Sequence, residues 1–213
     1  MVSSEALKRL IQRGEGISLE FKRRINSPEK IAKSLVAFAN TKGGILLIGI
    51  DDNGYIYGVP EEKHPDFEIR KISNSMCSPV IDMEIESVEL DGKNIIYINI
   101  PESNMKPHFV ISNENGTSPV SYIRHQNKSI EASPVKIKLM RESNQIKNYS
   151  VEIGDDERML FAFLKQYGTI SFEKYIQLSG LTEKNGLERL THLISIGIIK
   201  SVINGEKEYY TLN

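Results

Sequence analysis

The segment AFANTKGGILLIGIDDNGYIYG, residues 37–58, sets the architecture of the N-terminal part of the chain. It begins with the apolar end of a predicted helix, passes through Gly43 and Gly44, and continues into the aliphatic run ILLIGI. A DDNG turn follows, and YIYGV is predicted to return as the partner strand. Phosphate-binding glycine loops have the opposite order, with the strand before the helix, so the pattern argues against a Walker or dinucleotide-binding site.

A helix precedes the glycine pair. Ser27 and Pro28 suit the N-cap and the first helical position, respectively. An apolar stripe that starts at Ile31 and recurs at helical spacing predicts one buried face. The glycine pair is predicted to end this helix and to turn the chain directly into the strand.

Upstream of this helix the pattern changes from helix to strand. Residues 4–13 have the apolar spacing of a short helix, which Gly14 and Gly16 are predicted to end. The next segment, ISLEFK, alternates apolar and polar residues with the period of a half-buried strand. This alternation predicts that Glu20 lies on the polar face of the strand.

Downstream of the opening segment, strands dominate. Residues 66–76 are predicted to form a helix, and VIDMEIESVEL, KNIIYINI, PHFVIS and VSYIRH are predicted strands. DGK and NENGTS are the predicted turns between them. Strands with a few helices, without regular alternation, indicate an α+β domain over residues 1–142.

The composition becomes polar in RESNQIKNYSVEIGDD, so we expect a linker at residues 143–154 and a second domain at 155–213. The second domain is predicted to contain a helix, a short strand, two helices and a hairpin. Thr182 is the expected N-cap of its third helix, and Asn204-Gly205 the expected hairpin turn. This order of elements is that of a small winged-helix domain.

Chain length and amino-acid composition narrow the class of protein. The chain has 213 residues, of which 39% are hydrophobic and 26% charged, as in ordinary globular proteins. It contains no apolar run of membrane-spanning length and no secretory leader pattern, so we expect a cytoplasmic protein with no membrane partner. Cys77 is the single cysteine and is predicted to be a buried small residue. One cysteine and four histidines argue against a structural zinc site.

Charge is segregated along the chain although the net charge is only −1. Residues 20–42 and 105–141 each have a balance of +4, whereas residues 51–92 have a balance of −8. This pattern is compatible with a basic binding face beside an acidic one. An ordinary salt-bridged surface is the alternative.

Three segments resemble the Schlafen-type AlbA-like DNA-binding domain family. They are RGEGISLEFKR, AFANTKGGILLIGIDDNGYIYG and SYIRH, at residues 13–23, 37–58 and 121–125. The resemblance spans about residues 4–140. It implies a mixed-sheet domain that binds nucleic acid, and family members with a trailing winged helix are commonly transcriptional regulators.

The resemblance also implies an alternative. Some Schlafen members are metal-dependent endoribonucleases with three acids, which map here to Glu15, Glu20 and Asp52. Three neighbouring carboxylates repel one another unless a cation such as Mg²⁺ or Mn²⁺ lies between them. The plain alternatives are a turn-forming role for Asp52, a surface ion pair between Glu20 and Lys22, and a simple loop position for Glu15.

Basic and aromatic side chains are the candidates for nucleic-acid contacts. In the first domain they are Lys22, Arg23, Tyr122 and Arg124, of which Tyr122 is suited to stacking on an unpaired base. Solvated surface positions are the alternative for the lysines, including Lys33.

In the second domain, Lys184 and Arg189 lie on the third helix, the helix that would read DNA in a winged-helix domain. Residues 150–213 carry seven basic and nine acidic residues, so this unit is also suited to dimerisation or to binding a protein.

The sequence therefore predicts a DNA-binding transcriptional regulator that needs no cofactor, binds DNA or RNA, and is compatible with a homodimer. The metal-dependent endoribonuclease is the alternative function. A protein-interaction scaffold is a third, weaker hypothesis.

Overall fold

The computed structural model describes residues 2–60, 64–111, 118–142 and 154–213. The chain divides into two compact units, Met1–Ala132 and Ser133–Asn213. Residues 143–153 of the predicted linker at 143–154, and residues 113–117 of the predicted NENGTS turn, lie outside the described residues. Among the described residues, none of the helices combines the length and the apolarity needed to cross a membrane.

The first unit combines helices with mostly short strands. In chain order they are α1 (Ser4–Arg13), β1 (Leu19–Lys22), α2 (Pro28–Ala39), β2 (Gly44–Ile48), α3 (Pro65–Met76), β3 (Cys77–Ser78), β4 (Glu84–Leu90), β5 (Lys93–Ile100), β6 (Phe109–Val110), β7 (Tyr122–His125) and β8 (Lys128–Glu131).

A four-stranded sheet with the order β1-β2-β5-β4 is the framework of the first unit. Strand β1 pairs with β2 in parallel, whereas the β2–β5 and β5–β4 pairs are antiparallel. Two antiparallel pairs, β3–β6 and β7–β8, complete the unit. The mixed sheet confirms the predicted α+β class.

Helix α2 begins and packs as its sequence predicts. Ser27 is the N-cap, although its side chain makes no capping hydrogen bond, and Pro28 is the first helical residue. Ile31, Leu35 and Phe38 are buried in the core against the sheet. The predicted apolar stripe is therefore confirmed.

The end of α2 differs in detail from the prediction. The helix stops at Ala39, and Asn40 is its C-cap. Gly43 comes four residues after the last helical residue, with φ at +70° and its N–H donating to Phe38 O at 3.0 Å. The glycine pair thus forms the turn into β2 rather than the helix end.

The side chain of Asn40 fixes α2 to the rest of the unit. Its Nδ2 donates to the carbonyl oxygens of His108 and Tyr122 at 2.9 and 3.0 Å, and to Ser121 Oγ at 3.0 Å. Its Oδ1 accepts from the His108 N–H at 2.7 Å. Because Asn40 is buried, this fully used amide specifies how β7 docks on the helix.

Some predicted strands are shorter in the structure. YIYGV forms only an isolated bridge, Ile56 to Ile50, so the prediction of a partner strand there was wrong. The first of the later strands starts at Glu84, and PHFVIS pairs only at Phe109–Val110. The remaining residues of these segments form loops. The alternation of apolar and polar residues does not by itself distinguish such loops from strands.

The second unit consists of α4 (Pro134–Glu142), α5 (Asp155–Tyr167), α6 (Phe172–Ser179), α7 (Glu183–Ser195), β9 (Ile199–Asn204) and β10 (Lys207–Leu212).

Helix α4 was not predicted, and it packs in the core of the second unit through Val135. The expected domain boundary, after residue 142, lies at the far end of this helix. The other elements follow the predicted order: Ile170 bridges to Tyr210 and β9 pairs antiparallel with β10. Thr182 caps α7, its side chain accepting from the Asn185 N–H. That the unit is a winged helix stays a prediction.

Cys77 is buried at the C-terminal end of α3, as predicted. Burial raises the pKa of its thiol to about 12, so the side chain is a neutral packing group at physiological pH.

Candidate nucleic-acid interface

The candidate interface lies where β1 and β2 end side by side. Because these strands are parallel, Lys22 is opposite Ile48, and the chain leaves the sheet at Arg23 and Arg24. The Gly49 N–H donates to Lys22 O at 2.8 Å, which extends the pairing by one residue. Both arginines are exposed beyond the edge of the sheet.

Gly49 also folds the following turn back toward Arg23. Its carbonyl oxygen accepts from the N–H groups of Tyr57 and Gly58 at 2.8 and 2.9 Å. With φ at +106°, a Cβ at Gly49 would lie 3.2 Å from the Gly58 backbone, so this close approach requires glycine. The result is that Tyr57 lies beside the end of β1.

Asp51 builds the turn between these two points. Its Oδ1 accepts from the N–H groups of Asn53 and Tyr55 at 3.0 and 2.9 Å. This is the turn-forming role that aspartate commonly has. Asp52, the next residue, is exposed.

A cleft of about 870 Å³ opens between this turn, the segment after β1 and the beginning of α3. Its size is in the range of ordinary ligand sites. Among the residues that the structure describes, the charged side chains that line it are Arg23, Arg24, Glu68 and Lys71, so cations exceed acids in this set. Tyr57 and Phe67 contribute aromatic surface.

A row of aromatic and basic side chains leads to the cleft. The Arg23 guanidinium carbon lies 3.7 Å from the centroid of the Tyr57 ring. Tyr57 in turn contacts Tyr55 edge to face, with the ring centroids 4.8 Å apart. Lys93 Nζ lies 5.2 Å from the centroid of the Tyr55 ring. Each cation is held over a ring face, where the ring quadrupole favours it.

The first unit also contains a buried ionic network centred on Glu20 and Arg124. Arg124 Nη1 donates to Glu20 Oε2 at 2.5 Å, and Nη2 donates to Gly16 O at 2.7 Å. Burial lowers the pKa of Arg124, and the charges of Glu20 and Glu15 oppose that shift. Arg124 is only 4% exposed. It therefore cannot serve as the nucleic-acid contact that the sequence suggested.

Glu20 is likewise not on a solvated face. It is buried, and its Oε1 accepts from Ser34 Oγ at 2.8 Å while also pairing with Lys22 Nζ. The alternation of ISLEFK predicted a polar face because it could not show that α2 and β7–β8 cover that face of the strand.

Glu15 stands at the edge of this network. Its Oε1 accepts from the Phe21 N–H at 2.7 Å. Burial raises the pKa of Glu15, and the charges of Glu20 and Asp52 add to this effect, while the Phe21 hydrogen bond and Lys22 oppose it. Glu20 and Asp52 are thus both close enough to Glu15 to influence its pKa.

This arrangement does not fit a bound Mg²⁺ or Mn²⁺. Both Glu20 oxygens are occupied by Arg124, Lys22 and Ser34, which neutralise the carboxylate that a metal would need. One Glu15 oxygen is used by the backbone. Within the described part of the chain, no three His, Cys, Asp or Glu side chains form a group that could hold a metal ion.

Comparison with known proteins identifies the first unit. The model of the family described as Schlafen, AlbA_2 matches residues 15–133, more than half of the chain. The chain belongs to the Schlafen, AlbA_2 family. The match begins at Glu15 and includes β1 with Glu20, the turn at 51–58 and the β7–β8 pair. It ends at the first residue of the second unit.

Two solved structures are similar to parts of the chain. The N-terminal domain of a RecG-related protein from Nitrosomonas europaea is 21% identical, with a TM-score of 0.46, over 72% of this chain and 100% of that one. The DIP2311 protein from Corynebacterium diphtheriae is 18% identical, with a TM-score of 0.48, over 90% of this chain and 34% of that one. The chain thus spans about a third of the length of the second protein. No curated protein sequence matches it.

The other predicted contacts in the Schlafen, AlbA_2 domain are partly covered. Lys22 is half-buried by its pairing with Glu20. Tyr122 packs against the core, and Lys33 Nζ lies 4.7 Å from the centroid of its ring. Of the predicted first-unit residues, only Arg23 is both exposed and part of the cleft.

In the second unit, the two predicted residues on α7 have different surroundings. Lys184 is exposed near the N-terminus of the helix. Arg189 Nη1 lies 3.0 Å from Oε1 of the buried Glu157, so this arginine ties α7 to the start of α5.

Sequence reasoning missed the aromatic side of the Schlafen, AlbA_2 cleft. Tyr57 was assigned to a strand, and Phe67 to a predicted helix without a functional role. Phe67 is 70% exposed and Tyr55 is 59% exposed. These aromatic residues are more than 30 positions from Arg23 and Arg24 in the sequence. Only the fold shows that Tyr57 and Phe67 border the same cleft as the two arginines.

The charge of Glu15 gives a testable pH dependence. We expect Glu15→Gln to match or exceed the wild type in free energy of unfolding at pH 7. A carboxyl whose folded pKa lies above the ordinary value of 4.5 favours the fold at low pH and loses that contribution as the pH rises through the folded pKa. Glutamine stays neutral and still accepts from the Phe21 N–H.

Urea unfolding of both proteins at about pH 4 and pH 7 measures this effect. The stability of the variant relative to the wild type should increase with pH. A relative stability that falls with pH would show that ionised Glu15 stabilises the fold.

Proposed function

We propose that the first unit binds nucleic acid through the cationic cleft formed by Arg23, Arg24 and Lys71. The observation that carries this proposal is that these three exposed cations line one cleft together with aromatic surface. Phosphate contacts need accessible, positively charged side chains, and the aromatic rings suit the bases. Membership in the Schlafen, AlbA_2 family supports the same conclusion.

We further propose that the protein acts as a DNA-binding transcriptional regulator, in which the second unit adds contacts to DNA or to a partner. Exposed Lys184 near the N-terminus of α7 supports a contact with DNA. Arg189 is less suited to this role because it pairs with Glu157. Lys184→Gln should weaken DNA binding by the full chain if α7 contributes.

Salt dependence tests the cleft directly. For Arg24→Gln, the plot of log affinity against log salt concentration should be less steep by about 1, because one phosphate contact and its counterion release are lost. The measurement is fluorescence anisotropy of labelled DNA and RNA between about 50 and 200 mM salt. Arg9→Gln, a change at an exposed arginine on α1, is the matched control and should leave the slope unchanged. Equal slopes for Arg24→Gln and the wild type would contradict the proposal.

The same samples address the nuclease alternative. The influence of Glu20 and Asp52 on the pKa of Glu15 favours it, whereas the pairing of Glu20 with Arg124 disfavours it. Labelled RNA and DNA are incubated with Mg²⁺, Mn²⁺ or EDTA, and the products are separated on a gel. We expect intact polymer in all three. Cleavage that EDTA and Glu15→Gln both abolish would replace the binding-only proposal with the nuclease.

A further inference from the structure

We propose that the cleft selects single-stranded nucleic acid, with unpaired bases stacked on Phe67 and Tyr57 and the adjoining phosphates held by Arg24 and Lys71. This inference rests on the proposed function and specifies its ligand. It takes account of a feature that phosphate binding alone leaves unexplained, the large aromatic surface exposed around a basic cleft.

Three aromatic side chains in this region remain exposed to water. The exposed fractions are 70% for Phe67, 59% for Tyr55 and 40% for Tyr57. Large apolar side chains that stay exposed together on a concave surface are typical of binding sites. Phe67, in the first turn of α3, lines the cleft without a polar group of its own. A ligand that stacks on it removes this surface from water.

The arrangement of Tyr57 and Arg23 suits a flat ligand. The guanidinium lies over the ring at 3.7 Å from its centroid, and Tyr55 contacts the same ring edge to face. These contacts restrict how the Tyr57 ring can turn. A base that stacks here therefore meets a platform that is already oriented, and less conformational freedom is lost on binding.

The cations are placed to contact the backbone of such a strand. Arg24 and Lys71 are exposed and line the same cleft as the two aromatic rings. Glu68 is the acid among the described lining residues, and it disfavours phosphate at its own position. Bases on aromatic rings and phosphates on neighbouring cations are the general pattern of single-strand binding.

A duplex uses only part of this surface. Its bases are stacked on one another and paired, so they cannot lie on Phe67 or Tyr57, and only the phosphates reach the cations. Stacking on an aromatic side chain contributes about 1–3 kcal/mol per base. The cleft should therefore bind an unpaired strand more tightly than a duplex of the same length.

Phe67→Ala and Phe67→Trp test this inference in the chain with both units present. The alanine variant should bind single-stranded DNA and RNA oligonucleotides about 5- to 150-fold more weakly, with duplex binding and the salt slope unchanged. The tryptophan variant should restore single-strand binding. Tyr167→Ala, at a 62% exposed aromatic residue in the second unit, is the matched control and should bind like the wild type.

Phe67→Trp also gives a spectroscopic readout, since the natural chain has no tryptophan. Its emission should be quenched when a single-stranded oligonucleotide stacks on the ring, and should stay unchanged with duplex. Tyr167→Trp should show no quenching with either ligand. Separate titrations with DNA and RNA oligonucleotides show whether the cleft distinguishes deoxyribose from ribose.

The outcomes separate the two proposals. If neither polymer binds at low salt, the proposed function is wrong. A second outcome overturns only the single-strand inference. In it, single strand and duplex both bind and Arg24→Gln reduces the salt slope, but Phe67→Ala leaves single-strand affinity unchanged and the emission of Phe67→Trp is not quenched. Tighter binding of duplex than of single strand would overturn it as well.

Discussion

Replacing Glu20 by methionine is expected to lower the free energy of unfolding by about 3–5 kcal/mol, because it leaves the guanidinium of Arg124 buried without its counter-charge. The Arg124 side chain would keep its hydrogen bonds to Ser129 Oγ and Gly16 O, but both acceptors are neutral. Its Nε already lacks a hydrogen-bond partner. Urea unfolding at pH 7, monitored by circular dichroism, measures the loss.

The reverse change, Arg124→Met, should be less harmful than Glu20→Met. Glu20 would keep the charge of Lys22 and the hydrogen bond from Ser34. The double variant with methionine at both positions should recover most of the lost stability, because well-packed apolar groups often replace a buried ion pair without loss. Additive losses in the double variant would show that the two side chains are not energetically coupled.

The second large effect is expected at Gly43, where alanine should lower the free energy of unfolding by about 3–5 kcal/mol. Two causes combine. The residue has φ at +70°, where a Cβ is disfavoured, and that Cβ would lie 2.6 Å from Ile100 O and 2.8 Å from Glu102 N. Both neighbours are backbone atoms beside the end of β5, so they cannot move without disturbing the sheet.

Gly14→Ala separates these two causes. Gly14 has a similar φ of +76°, but a Cβ there would meet no atom within 4 Å. Its replacement should therefore show only the conformational penalty of about 1–2 kcal/mol. The difference between the two variants in urea unfolding measures the close approach of the turn to β5. Equal losses would mean that the backbone at Gly43 relaxes freely.

The sequence predicted the local elements well where one signal dominated. Helix α2 and strand β5 lie close to their expected positions, because a continuous apolar stripe or run left few alternatives. The segment that contains Ile56 was predicted to be a strand, but it forms only one isolated bridge, to Ile50. In that segment Asp51 and Gly49 bend the chain by side-chain and backbone hydrogen bonds, and hydrophobic patterning does not record such bonds.

The candidate site was predicted less well than the fold. Arg124 was expected at the surface because charged residues usually are, yet its partner Glu20 is 104 positions away in the sequence. Arg23 was correctly expected to be a surface cation, but its aromatic neighbour Tyr57 was not recognised. Pairs of this kind become visible only when separate strands and turns meet.

Patterning, turn residues and family resemblance were sufficient to establish an α+β domain of Schlafen, AlbA_2 type, since these signals lie within short segments. The tertiary structure decided which charges are accessible. It buries Arg124 against Glu20 and exposes Arg24 beside Phe67, two outcomes that one-dimensional charge counts cannot distinguish. The physical reason is that the accessibility of a charge depends on the elements packed over it, and these come from distant parts of the chain.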